Sequence, residues 1–292
     1  MQPLITLSIR DWNAPCSDLV RAQALDALER GVVLYFPELR FEVAEDERAL
    51  LTPASLDGRR KNISLDPQTG APRGTRLQGD ALQALSRMMR RFADGAGALV
   101  AELLPSYAPA IRQARVSYRP AEVDRRQLSA RKDDRRLHVD AFASRPNHGQ
   151  RILRVFTNIN PRGVARHWQI GEPFEECARR FLPAIPRPLP GAHALLAALR
   201  VTKGVRSDYD HYMLQMHDRM KMDERYQRET PREDVRFPAG SSWIVFSDQT
   251  LHAALSGQHL LEQTLHMPIE AMRNPGHAPL RVLERLAGRS LV

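Results

Sequence analysis

The sequence predicts an α+β fold: a double-stranded β-helix core, jelly-roll or cupin-like, with flanking helices and a helical insertion. Three observations predict it. Several runs alternate with period two, as strands with one covered face do; the clearest is Gln150–Asn160. One run, Asp80–Leu104, instead carries Leu82, Leu85, Met89, Phe92, Leu99 and Leu103 at helical spacing. Finally, His138-Val139-Asp140 and the distant Thr250-Leu251-His252 stand beside strand-like runs, where side chains gather at a barrel mouth.

Taken in order, residues 4–10 alternate and read as a short strand. Ser17-Asp18 starts a helix over Leu19–Arg30, and Gly31 stops it. Gly31–Pro37 is an apolar strand bounded by proline. Residues 52–79 are polar and rich in Gly and Pro, which predicts a long loop, a rim or lid carrying Arg59-Arg60-Lys61. In the Asp80–Leu104 helix, Arg87, Arg90 and Arg91 form a basic face, and Gly95 and Gly97 argue against continuity. Ala114–Arg119 reads as a strand stopped at Pro120, and charged Asp124–Arg136 as a hairpin loop feeding a strand with His138. On Gln150–Asn160, Leu153, Val155, Thr157 and Ile159 form an apolar face. Ile152, Arg154, Phe156, Asn158 and Asn160 form a mixed face, as the wall of an active site would. After the turn Pro161-Arg162-Gly163 comes Ala165–Ile170. Residues 173–226 form the insertion, broken by prolines and ending in a polar helix, Asp208–Tyr226, with His211, His217 and Met220. Strands return at Val235–Phe237, Ser241–Phe246, the His252 run and Leu260–Met267, before a short helix near Leu280–Leu286. No repeat or linker divides the chain, so residues 1–292 are expected to form a single domain.

A net charge of +9, carried mainly by arginine, points to an anionic partner: phosphate, carboxylate or headgroup. Nucleic acid is not expected, because no zinc finger, RNP motif or basic heptad accompanies the charge. The two cysteines, Cys16 and Cys177, offer no disulfide framework and fit a reducing cytoplasm. Met1–Arg10 lacks the pattern of a signal peptide, and no apolar run approaches the roughly 18–20 residues that span a bilayer. Any membrane contact is therefore expected to be peripheral.

A His and an Asp two apart on a strand share one side of the sheet. A second His from a neighbouring strand, roughly 110 residues on, would complete two imidazoles and a carboxylate: His138, Asp140 and His252. That is the facial triad of non-haem Fe(II) oxygenases, which leaves positions open for a co-substrate and O2. His259 and His266 are rivals for the third place; His148 and His167 lie near turns or on another strand, and His211 and His217 on a helix. A 2-oxoglutarate co-substrate needs a fixed cation for its distal carboxylate, and a bidentate arginine suits it. Leu260–Met267, where many such enzymes carry that arginine, has no Arg or Lys. Arg154 on the mixed face is the first candidate, Arg151 on the opposite face the second, and Arg166 beside Trp168 the third, or the holder of a substrate carboxylate. Asn158 and Thr157 are candidates to hydrogen-bond the co-substrate.

Three stretches together resemble the Kdo (3-deoxy-D-manno-oct-2-ulosonic acid) 3-hydroxylases of Gram-negative bacteria: His138–Pro146, Arg151–Pro161 with Arg166-His167-Trp168, and Ser247–His252. The likeness runs from about residue 20 to 270. It implies hydroxylation of Kdo at C3 on a Kdo-lipid A precursor in lipopolysaccharide biosynthesis, with Fe(II), 2-oxoglutarate, O2 and ascorbate as reductant. It also implies action at the cytoplasmic face of the inner membrane, where Arg59, Arg60, Lys61 and the Arg87/Arg90/Arg91 face are candidates for headgroup contact. Two other readings stay open: a non-catalytic cupin-like module binding an anionic glycan or lipid, and a hydroxylase of a macromolecule.

Overall fold

Short capping and turn signals set where each element begins, and pairing across the chain sets where the site falls. The computed structural model describes residues 2–123 and 129–292. β1 (Leu4–Thr6) runs parallel to β2 (Val33–Phe36), with α1 (Asp18–Glu29) between them. Ser17 caps α1 by accepting the Val20 N–H, and Gly31, at φ 82°, turns the chain towards β2. The strand expected over 4–10 ends at Thr6, although Leu7 and Ile9 are still buried in the core.

After α2 (Glu45–Arg48), the segment expected to be a loop or lid is an extension of the main sheet. β3 (Ile63–Leu65) and β4 (Pro72–Arg73) form a hairpin, and β3 pairs antiparallel with β5 (Arg112–Arg119). Asp66 makes the turn by accepting the Gln68 and Thr69 N–H groups. Ile63 and Leu65 are buried, but a run this short carries too little periodicity to stand out from its polar flanks.

α3 (Gly79–Leu103) is continuous through both glycines. A Cβ at Gly95 would lie 3.4 Å from Trp12, so this glycine lets the indole approach the helix closely. The basic face is largely neutralised: Arg87 pairs with Asp46 at 2.8 Å and Arg91 with Glu47 at 2.5 Å.

Asp124–Leu128 of the expected hairpin loop lie outside the described residues. Beyond them come β6 (Arg151–Asn158) and β7 (Arg166–Ile170), then the helices α4 (Phe174–Phe181), α5 (Ala192–Ala198), α6 (Asp208–Met222) and α7 (Glu224–Glu229). The helix expected over Asp208–Tyr226 breaks at Asp223, whose extended backbone ends α6 and whose side chain caps α7 by accepting the Tyr226 N–H. β8 (Glu233–Phe237), β9 (Ser242–Phe246), β10 (His252–Ser256), β11 (Leu260–Met267) and α8 (Pro279–Ala287) complete the fold.

The strands form an eight-stranded sheet, β1-β2-β9-β6-β11-β5-β3-β4, and a three-stranded sheet, β10-β7-β8. β6 has one face in each of two apolar layers. Leu153 and Val155 belong to the larger cluster, with buried residues of α1, α3 and α8. Phe156 belongs to a smaller cluster, with Trp243 of the same sheet and Trp168, Val235 and Phe237 of the other. Phe237 and Trp243 stack between the sheets with ring centroids 4.0 Å apart; such pairs contribute about 0.5–1.5 kcal/mol beyond area burial. This aromatic layer holds the small sheet against the large one and brings the start of β10 near the middle of β6, where Phe156 meets Trp168 at 5.2 Å and Trp168 meets His252 at 5.1 Å.

Candidate active site

His138 does not lie in a regular strand, contrary to the sequence reading. It makes an isolated antiparallel bridge with His252: the His138 N–H donates to the His252 carbonyl at 3.0 Å, and the His252 N–H to the His138 carbonyl at 2.8 Å. Two residues on, the Asp140 N–H donates to the Ser247 carbonyl at 2.8 Å. One edge-to-edge contact therefore sets all three backbones, and the alternation that puts His138 and Asp140 on one side survives without a full strand.

His138, Asp140 and His252 offer ligand atoms that all lie within 4.8 Å of one another, and His138 Nε2 is 4.0 Å from Asp140 Oδ1. In each imidazole, Nδ1 is positioned to donate to a backbone carbonyl: His138 to Arg136 at 2.7 Å and His252 to Thr250 at 2.8 Å. These bonds assign the proton to Nδ1 and leave both Nε2 lone pairs for a ligand. Burial pushes the pKa of both histidines down, which keeps them neutral. Burial would raise Asp140, but Arg154, 3.0 Å away, more than offsets it and holds the carboxyl below its usual range. Two neutral imidazoles and an ionised carboxylate are the donor set a divalent ion takes.

The three side chains line a cavity of about 590 Å³. Eight arginines and lysines line it against two aspartates, which favours an anionic occupant. Arg154 and Arg166, both expected at the site, are on its wall. Arg154 bridges Asp140 and Glu262, the latter at 2.8 Å, while Arg166 Nη1 donates to the Gly257 carbonyl at 2.6 Å. Arg59 and Lys61 also face this cavity, whereas Arg60 pairs with Asp57 at 3.1 Å.

Three expected ligand-binding residues are elsewhere. Arg151 is fully buried on the opposite side of β6, bound to Asp248 at 2.7 Å and Gln249 at 2.7 Å, with its guanidinium over Phe246. Its chemistry is taken up inside the core. Asn158 is buried and pins a turn, donating to the Val164 and Phe237 carbonyls at 3.0 Å each. Thr157 likewise faces away, donating to the Ser241 carbonyl at 3.4 Å. Of the rival histidines, His259 is bonded to Tyr118 at 2.9 Å and His266 packs edge-on to Phe142.

Several wall residues were not assigned to the site by the sequence reading, Arg131, Lys132 and Asp134 among them. Arg119, from β5, pairs with Glu262 at 2.5 Å. His217 and Lys221 enter one turn apart from α6, and the His217 ring meets His138 edge-on at 5.5 Å. Their helical spacing was legible, but not which face of a polar helix turns inward. Trp168 stacks on His252 at 5.1 Å, and its buried indole N–H has no acceptor among the described residues.

Two sheets packed face to face, with two histidines and one carboxylate converging at their edge, define the class of mononuclear non-haem iron oxygenases. Comparison with known proteins narrows this. The family model for 3-deoxy-D-manno-oct-2-ulosonic acid (Kdo) hydroxylase matches residues 11–290. Among solved structures, the Kdo hydroxylase KdoO, a non-heme Fe(II) α-ketoglutarate-dependent dioxygenase in complex with α-ketoglutarate and Fe(III), is similar at 44% identity and TM-score 0.96, covering 100% of this chain and 98% of that one. Its cobalt(II) complex matches at 45% and TM-score 0.97, and its succinate and Fe(III) complex at 45% and 0.96, with the same coverage. No curated protein matches. The chain belongs to the Kdo hydroxylase family.

Proposed function

We propose that this protein is an Fe(II)- and 2-oxoglutarate-dependent hydroxylase that converts Kdo to its C3-hydroxylated form on a Kdo-lipid A precursor. The observation that carries the reading is the buried convergence of His138, Asp140 and His252 in a cavity walled by arginine and lysine. His138 Nε2, His252 Nε2 and the Asp140 carboxylate would hold the metal. When bound, iron with 2-oxoglutarate and O2 supplies the oxidising power to hydroxylate an unactivated C–H, yielding succinate and CO2.

The chain's own residues do the rest. The Arg136 and Thr250 carbonyls fix the imidazole tautomers. Arg154 keeps Asp140 ionised and aimed. Arg166 is our choice for a carboxylate of 2-oxoglutarate, with Arg154 adjacent, since both line the metal cavity. Phe156, Ala254 and Leu260 give the cavity an apolar flank that excludes water. Lys61, Arg119 and Lys221 gather around Asp134 at 2.6, 3.8 and 4.0 Å, and their combined charge exceeds its own, which suits the carboxylate of an acidic sugar. We read the paired sheets as a double-stranded β-helix and residues 1–292 as one catalytic domain with an insertion at 173–226. Cytoplasmic action at an anionic membrane surface, ascorbate as reductant and no role for nucleic acid complete the reading.

The test is turnover after anaerobic loading with Fe(II). Wild-type protein should form succinate in step with a mass gain of one oxygen on the Kdo glycolipid, and Asp140→Ala should reduce both to background. Undiminished succinate formation in that variant would remove the proposal.

A further inference from the structure

The insertion contains a stretch that takes no part in the metal cavity and has an unusual surface. From Cys177 to Ser207 the sequence has no Asp or Glu. No residue of α5 is buried. Of the nine large apolar side chains exposed among the described residues, five lie here: Leu189, Leu195, Leu199, Val201 and Val205. Interleaved with them are Arg187, Arg200, Lys203 and Arg206, none of which forms an ion pair among the described residues. Clustered exposed leucines and valines with unneutralised cations cost solubility and contribute nothing to the core.

This stretch adjoins the cavity mouth. The Lys203 N–H donates to the Ser144 carbonyl at 2.9 Å, and Arg206 to the Ala143 carbonyl. Both acceptors follow Phe142, which lines the metal cavity. The element is anchored from beneath by buried Ile185 and Thr202, while His193 meets Asp208 at 3.5 Å. Its outer surface is left bare.

We infer that residues 187–206 form a docking element that seats the protein on an anionic phospholipid surface, with the cavity mouth at the rim of the contact. Apolar side chains enter the interface between headgroups and acyl chains, and Arg187, Arg200 and Lys203 meet lipid phosphates, each worth about tenfold or less in partitioning, while Arg206 ties the stretch to the cavity mouth. No helix among the described residues is long and apolar enough to cross a membrane, so a surface contact of this kind is what these helices can offer. The α3 face expected for that role has Arg87 and Arg91 already paired with carboxylates. The inference deepens the proposed function and rests on it, because a glycolipid substrate would be met at such a surface.

Co-sedimentation with phosphatidylglycerol-containing vesicles, against phosphatidylcholine alone, tests it. Wild-type protein should partition onto the anionic vesicles. Leu195→Glu with Leu199→Glu, and separately Arg200→Glu with Lys203→Glu, should each lower partitioning about tenfold or more, while Arg87→Glu with Arg90→Glu should not. Because these positions are exposed, thermal unfolding should match wild type, and hydroxylation of an acyl-free, water-soluble Kdo glycan should be unchanged while that of vesicle-borne Kdo glycolipid falls. Wild-type partitioning by both docking variants would overturn the inference. So would a dimer in solution that Leu195→Glu separates without loss of vesicle binding, which would make the patch a self-association surface. Partitioning through this patch by a protein that hydroxylates neither substrate would support the docking surface and remove the proposed function instead.

Discussion

The metal corner and the 187–206 stretch are built on opposite terms. At the corner, His138, Asp140 and His252 are tied by reciprocal backbone hydrogen bonds, and His252 continues a segment locked by the fully buried Arg151–Asp248 pair. Asp248 also accepts the Ile152 N–H at 3.2 Å, so one carboxylate joins β6 to the approach to His252. In the insertion, α5 buries nothing, and the cations around it have no carboxylate partners among the described residues. The first region owes its shape to internal satisfaction; the second keeps its binding capacity on the outside. Placing ligands for an ion within fractions of an ångström needs the former, whereas meeting a fluid surface does not.

The contrast can be broken most forcefully at Arg151. Arg151→Met leaves Asp248 buried without its cation and should destabilise the fold by about 3–5 kcal/mol, read by denaturant unfolding. A loss below about 1 kcal/mol would show that the corner does not depend on this pair.

A smaller effect is expected at Arg154, which orients Asp140 from the cavity side. Arg154→Gln should weaken metal affinity about 10–100-fold, measured by titration with Co(II), and should destabilise the metal-free protein less than Arg151→Met does, because Glu262 keeps Arg119 as a partner.

The pH response sharpens the contrast further. His259, bonded to Tyr118, has its pKa pushed down to about 4 by burial, with Arg162 acting in the same direction. Unfolded, it titrates near about 6.5. Between these values the unfolded chain binds the additional proton, so stability should fall as pH drops from about 6.5 towards 4. His259→Asn, which tolerates the local φ of 57°, should flatten that part of the melting profile.

The smallest effect belongs to the insertion. Leu199→Ser, at a side chain 65% exposed, should change stability by no more than about 0.5 kcal/mol. A larger loss in unfolding experiments would mean that α5 packs in solution more tightly than its surface implies.

Much of this was legible in the residues, and the exceptions share a cause. The two faces of β6 follow from alternation alone, because each side chain answers to its immediate neighbours. The meeting of His138 with His252 was legible as a pattern, though not the single bridge that achieves it. Arg151 was assigned to the correct face but the wrong role, since its partner Asp248 is 97 positions away and nothing local marks the pairing. Asn158 failed for the same reason: the carbonyls it satisfies come from a turn and from β8. The β3–β4 hairpin was hidden by its brevity among turn residues. Lys221 and His217 were hidden by a polar helix whose inward face is chosen by the cavity it walls.

The stacking of Trp168 on His252 has a practical consequence. An indole lying nearly parallel to a ligand imidazole, at an interplanar angle of 19°, sits within quenching range of any paramagnetic ion held there. The fold thus comes with its own optical gauge: intrinsic fluorescence should dim as the centre fills and recover when a chelator empties it, reporting occupancy without a label or a substrate.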